Sequence, residues 1–261
     1  VRTTLLIGFA ITAAGVPAAA QFTTTYTGTQ RSGDKEVPAS AQFSVESGRA
    51  AMIMKGVRSA RMLFDQKEGV LRMVSDDDKM YFEVTKTSGG GSDMMASMQK
   101  QLDAMPKEQR QMAEAMMKSA MGAGSQAPPL VYEWTKEKQT AAGYECTMVH
   151  GMRGDAKVTE YCGSTSPDFK MSDAERKTIL DMQGYLRNLG IVVRGHDDDT
   201  ARAFQWDSSV DGYPVITRCF VNGQMTLDLL LGSVNRHALP HDLFAVPSGY
   251  KKMDMSRMMG R

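Results

Sequence analysis

From residue 22 to residue 86, apolar and polar positions alternate with the two-residue period of half-buried strands. Ala60, Met62 and Phe64 fall on one face, and Met80, Phe82 and Val84 repeat the pattern after Asp76-Asp-Asp78. Segments 22–30, 41–47, 49–55, 58–65, 69–75 and 79–86 are therefore predicted to be successive antiparallel strands. Ser47-Gly48 and Glu68-Gly69 supply turn chemistry between them. The acidic triplet lacks the spaced oxygen ligands of a calcium loop and reads as a solvated turn.

The same period returns later with sharper punctuation. Residues 144–150 and 156–162 flank Arg153-Gly154-Asp155 and predict a tight hairpin, and turn geometry accounts for that tripeptide. Asp211-Gly212 and Asn222-Gly223 join segments 200–210, 213–221 and 224–234 into a three-stranded meander, since both dipeptides tolerate positive φ. Between these blocks the period changes. Ser172-Asp-Ala-Glu175 forms a capping box, Ile179, Met182, Leu186 and Leu189 form a helical stripe that packs on the sheet, and Gly190 ends the helix.

Residues 93–121 break the strand pattern altogether. They predict a helical insert holding Met94, Met95, Met98, Met105, Met112, Met116, Met117 and Met121, eight of the chain's 22 methionines. Gly89-Gly-Gly91 precedes it, Pro128-Pro129 follows it, and Pro106 suits a helical first turn. Met98, Met105 and Met112 recur every seven residues, with Met116 near the same face. Unbranched, polarizable thioethers fit irregular apolar partners. The candidate ligand site is accordingly an apolar cavity between Met98, Met105, Met112 and Met116 on a lid and Met62, Phe64, Met80 and Phe82 on the sheet. The bland alternative is a fixed helix that covers the sheet as core.

The first twenty residues carry one positive charge, a short apolar run and Ala18-x-Ala20, the pattern of a secretory leader cleaved near Ala20. The expected organisation is a signal peptide at 1–20, one β-rich domain at 21–252 and a flexible methionine-rich tail at 253–261. The expected product is periplasmic or secreted, with no stable membrane anchor. Loss of Arg2 with the leader leaves 30 basic residues against 30 acidic, so no field steers the chain toward nucleic acid or an anionic membrane. Aromatic residues are only 7% of the chain, which leaves methionine to fill core volume.

Candidate chemistry is sparse. Cys146 and Cys162 are symmetric about Gly154, so a hairpin centred there would set them opposite each other. In an oxidising compartment that favours a disulfide over two small buried thiols. Cys219 reads as a buried thiol outside the bridge. His237 and His241 have the helical spacing of metal ligands, but Pro240 between them argues against a helix. The chain has no glycine-flanked nucleophilic serine, phosphate loop, zinc-protease helix or paired-cysteine redox motif. No residue is nominated as catalytic, no cofactor is expected, and the chain is expected not to be an enzyme.

Three signatures carry a resemblance: Gly143-Tyr-x-Cys146 leading into Tyr161-Cys162, Asp211-Gly-Tyr-Pro214, and Leu243-Phe-x-x-Pro-x-Gly-Tyr250-Lys. With the exported start and the methionine-rich insert, the mature chain resembles the bacterial family catalogued as domain of unknown function 4412. Its layout also looks like the periplasmic lipoprotein-carrier and receptor (LolA/LolB-like) fold. That resemblance implies an α+β architecture in which a large curved antiparallel sheet, an incomplete barrel, encloses an apolar cavity under helices. The expected function is binding or carriage of an apolar ligand, a lipid or acyl chain. One alternative is Cu(I) handling by Met94, Met95, Met98, Met116 and Met117 together with Met253, Met255, Met258 and Met259. Another is a structural or protein-binding role.

Overall fold

A computed structural model of the chain describes residues 21–85, 128, 130–189 and 212–253. The alternating first part forms β1 (Gln21–Ser32), β2 (Lys35–Glu46), β3 (Arg49–Lys55), β4 (Ala60–Asp65), β5 (Val70–Ser75) and β6 (Met80–Thr85). The second part supplies β7 (Leu130–Ala141), β8 (Tyr144–Arg153), β9 (Ala156–Ser164), β10 (Tyr213–Val221), β11 (Gln224–Asn235) and β12 (Lys251–Lys252). All join one sheet in the order β12-β6-β5-β4-β3-β2-β1-β11-β10-β9-β8-β7. Every pairing is antiparallel except β12 with β6. The sheet is open, and among the described residues one α-helix, α1 (Asp173–Leu189), accompanies it. The fold is α+β.

Pairing of β1 with β11, from Thr23↔Asn235 to Gln30↔Leu227, stitches the two halves together. Gly28 permits the closest approach there, because a Cβ on it would lie 1.8 Å from the Asp228 carbonyl oxygen. Asn222 (φ 51°) and Gly223 (φ 77°) make the hairpin turn that the sequence predicts between β10 and β11. Segment 200–210, the first strand of the predicted meander, lies outside the described residues.

The sheet order changes the meaning of the methionine-rich insert. β6 lies beside one edge strand and β7 is the other edge, so residues 86–129 connect opposite sides of the sheet. At about 4.8 Å per strand this is roughly 50 Å measured along the sheet. The chain between β6 and β7 must therefore cross from one side of the sheet to the other, which the sequence pattern alone did not indicate. The predicted helix at 93–121 itself lies outside the described residues, as do its methionines.

Two layers of side chains bury the sheet. On the α1 side, Phe22, Tyr26, Phe43, Met52, Met62, Phe64, Leu71 and Leu229 belong to the main core, joined by Ile179, Met182 and Tyr185 from the helix. The segment after β11 covers a smaller patch of Ala51, Leu63 and Val74 with Phe244, Leu239 and Val246. Within that segment Pro240 precedes a short 3-10 turn, His241–Phe244, so His237 and His241 do not share a helical face. The acidic triplet is a turn with structural duties. Asp76 receives Arg61 Nε at 2.8 Å and the Tyr250 hydroxyl at 3.0 Å, and Asp77 accepts from Ser59 N at 3.1 Å.

Cys146 and Cys162 form a disulfide with their Cα atoms 5.4 Å apart. They are not directly opposite, as mirror placement about Gly154 had implied. The turn pairs Arg153 with Ala156, one residue off a centre at Gly154, and a register shift between Gly151 and Met152 adds a second, setting Met148 against Cys162, so the bridge runs diagonally between β8 and β9. Cys219 is buried in β10, outside that bridge.

Candidate functional site

The helix α1 is built as its sequence predicts. Ser172 N donates to Glu175 Oε2 at 2.6 Å, and Glu175 N donates to Ser172 Oγ at 3.3 Å, closing the capping box. Glu175 is fully buried; its Oε1 makes no hydrogen bond, but the Arg236 guanidinium stands 3.7 Å away. Arg236 also lies over the Phe22 ring and donates to the Lys170 carbonyl, so its charge is held at the helix's first turn.

Two stripes of α1 do different things. Thr178, Asp181 and Tyr185 lie three and four residues apart, hence on one face. Gly48 N donates to Thr178 Oγ1 at 2.9 Å and Gln66 Nε2 donates to Asp181 Oδ2 at 2.6 Å, tying the helix to the β2–β3 and β4–β5 turns. The Tyr185 ring meets Phe64 edge-on at 5.2 Å. The neighbouring stripe of Ile179, Met182 and Gln183 faces a cleft between helix and sheet.

Across that cleft stand Tyr26 of β1, Phe43 of β2, Met52 of β3, Leu229 of β11, and Tyr213, Pro214 and Thr217 of β10. Its cavity volume is about 30 Å³, room for a water molecule or the tip of a larger ligand. The lining is mainly apolar, with a few convergent polar groups. Tyr26 donates its hydroxyl to the Pro214 carbonyl at 2.9 Å, and the Tyr213 hydroxyl sits 2.7 Å from Thr24 Oγ1. Burial raises the pKa of both phenols, Tyr26 well above its ordinary value and Tyr213 to about 12. Both are neutral at physiological pH. Phe22 and Phe169 brace Tyr213, the first edge-on at 5.3 Å and the second stacked at 5.0 Å.

Among the described residues proposed from sequence, none lines this cleft, and only Met62 and Phe64 lie on a strand next to it. Met62 pairs directly with Met52, Phe64 touches the helix through Tyr185, and both are buried. Phe82 packs against the same core, whereas Met80 is half-buried at the start of β6. Met98, Met105, Met112 and Met116 lie outside the described residues. Of the methionines considered for Cu(I), only Met253 is described; its backbone N–H donates to the Tyr81 carbonyl at 2.7 Å. Sequence reasoning missed Tyr26, Phe43, Gln183, Thr217 and Leu229 as a group. Tyr213 and Pro214, however, stand inside the Asp211-Gly-Tyr-Pro214 signature.

A second polar cluster crosses β8 to β11. Glu160 binds Lys157 at 2.5 Å and Arg218 at 2.8 Å, Arg218 reaches Asp228 at 3.0 Å, and His150 Nε2 lies 3.6 Å from Glu160. Burial opposes ionisation of Glu160, but the two cations outweigh it and lower its pKa. His150↔Glu160↔Arg218↔Asp228 are successive register partners, so this is a cross-strand polar ladder with ion pairs from Glu160 to Asp228.

No protein-family model matches the chain, and no curated protein matches it. Among the solved structures that match, two are as follows. An uncharacterized conserved protein from Thermus thermophilus is 7% identical, covers 90% of each chain and has a TM-score of 0.42. The structure of PNGF-II is 10% identical with a TM-score of 0.40, and the match takes in 93% of this chain but 32% of that one. Neither likeness is high enough to carry an argument about function.

Proposed function

We propose that the chain is an exported binding or carrier protein for an apolar ligand, a lipid or acyl chain, which enters beneath α1. The observation that supports this reading is the cleft itself: a mainly apolar gap with a few neutral polar groups is the usual make-up of a small-ligand site. The gap is too small for a whole acyl chain while α1 lies flat. The helix is therefore a lid. It is held by hydrogen bonds along Thr178 and Asp181, whereas Ile179 and Met182 meet the sheet through apolar contact and can be exchanged for ligand. The incomplete-barrel architecture of lipoprotein carriers fits the same design, as do the export leader and the disulfide.

The test is titration of the purified chain with an environment-sensitive fluorescent acyl probe. One saturable site is expected, weakened by Met182→Lys. A probe signal that rises without saturating, or saturable binding that Met182→Lys leaves untouched, overturns the reading.

A further inference from the structure

We propose that the cleft under α1 selects ligands whose polar end is uncharged, an alcohol or amide on an apolar chain over the ionised acid of equal length. The inference rests on the binding reading above and concerns only the ligand's head. None of the residues lining the cleft is Lys, Arg, His, Asp or Glu. The residues with polar side chains among them are Gln183, Thr217, Tyr26 and Tyr213, all uncharged. A hydroxyl or amide head both donates and accepts, so it can match an amide and a hydroxyl at once.

An ionised carboxylate entering there would leave water and gain no opposite charge. The phenols offer it little, because Tyr26 donates to the Pro214 carbonyl at 2.9 Å and Tyr213 is joined to Thr24 at 2.7 Å. Burial keeps both tyrosines protonated, so neither changes sign at neutral pH. Arg236 stands one ring away, across Phe22, and its charge is already committed to Glu175 and to the Lys170 carbonyl.

The test is competition at pH 8, with dodecanol, dodecanamide and dodecanoate each displacing a pyrene-labelled alkyl alcohol from the full chain. Dodecanol and dodecanamide are expected to displace it at about tenfold lower concentration than dodecanoate. Gln183→Arg supplies the missing cation and is expected to bring dodecanoate level with dodecanol. Thr217→Lys serves the same purpose if Gln183→Arg fails to fold, and the wild-type competition stands without either variant. Dodecanoate competing as well as dodecanol in the wild type overturns the head-group selection and leaves the binding reading intact. Failure of all three to displace the probe, or of the probe to bind, overturns both.

Discussion

Replacing Met182 with alanine tests whether α1 is docked as the cleft requires. The side chain is 2% exposed and faces Phe43, Met52 and Leu229 across the gap. Truncating a buried methionine to alanine costs about 2–5 kcal/mol, the higher figure applying when the site fails to collapse. Here the helix is tied to the sheet's turns at Thr178 and Asp181, and the facing residues belong to a hydrogen-bonded sheet, so collapse is restricted. The upper half of that range is expected. In a domain of this size each kcal/mol moves the melting temperature by about 2–4 °C, so the variant should melt roughly 7–20 °C below wild type. Thermal unfolding followed by circular dichroism measures it. The enlarged cavity should also respond to ligand: dodecanol at about 100 times its Kd returns about 2.7 kcal/mol. A loss below about 1 kcal/mol, with no recovery on adding ligand, would mean that Met182 is not packed between helix and sheet.

Three further outcomes follow from particular contacts. Cys146→Ser removes a bridge with a sequence separation of 16, and by loop entropy should cost about 3 kcal/mol in urea unfolding; equal stability of wild type and variant under oxidising conditions would contradict it. Tyr213, with a folded pKa raised to about 12 above an ordinary value near 10, contributes stability that is complete below about pH 10 and lost as pH rises toward 12. Spectrophotometric titration should find Tyr213 and Tyr26 ionising last, and all eight tyrosines titrating together near pH 10 would refute this. Because residues 86–129 join opposite sides of the sheet, shortening 86–127 stepwise with Gly/Ser linkers should abolish the cooperative thermal transition once the linker, at about 3.5 Å per residue, no longer spans the gap from β6 to β7. A linker of native length should restore it, and an unchanged transition with a two-residue linker would contradict the edge-to-edge connection.

The strands and the helix were legible wherever local chemistry decides them. Ser172 and Glu175 specify the start of α1 within four residues, and Asn222-Gly223 specifies a turn that few other dipeptides allow. β7 was missed because its pattern breaks. Leu130-Val-Tyr132 is an apolar run without alternation, Lys136-Glu-Lys138 follows, and the pairing slips between Trp134 and Lys138. A charged, bulged stretch suits an exposed edge and conceals the strand period. In β8 and β9 the turn centred between Gly154 and Asp155 and a similar slip at Gly151 each moved Cys146 one residue off the position opposite Cys162, while leaving the pair within bonding reach. Sheet order was illegible because nothing local tells β6 and β7 that they will stand at opposite sides. The cleft was illegible for a related reason. Tyr26, Met52, Met182, Thr217 and Leu229 come from five elements and meet only after β1 pairs with β11. The methionine and phenylalanine alternation in β4 and β6 identified the right face of the sheet, one and three strands away from the gap.

Photo-crosslinking tests most directly whether the gap beneath α1 receives an apolar chain. The wild-type chain is mixed with an alkyl alcohol bearing a diazirine at mid-chain, irradiated, digested and mapped by mass spectrometry. Labels are expected on Ile179 or Met182 of the helix and on Phe43, Met52 or Leu229 of the sheet, and excess dodecanol should suppress them. Labelling confined to exposed apolar residues such as Val131 and Trp134, unaffected by dodecanol, would contradict the account.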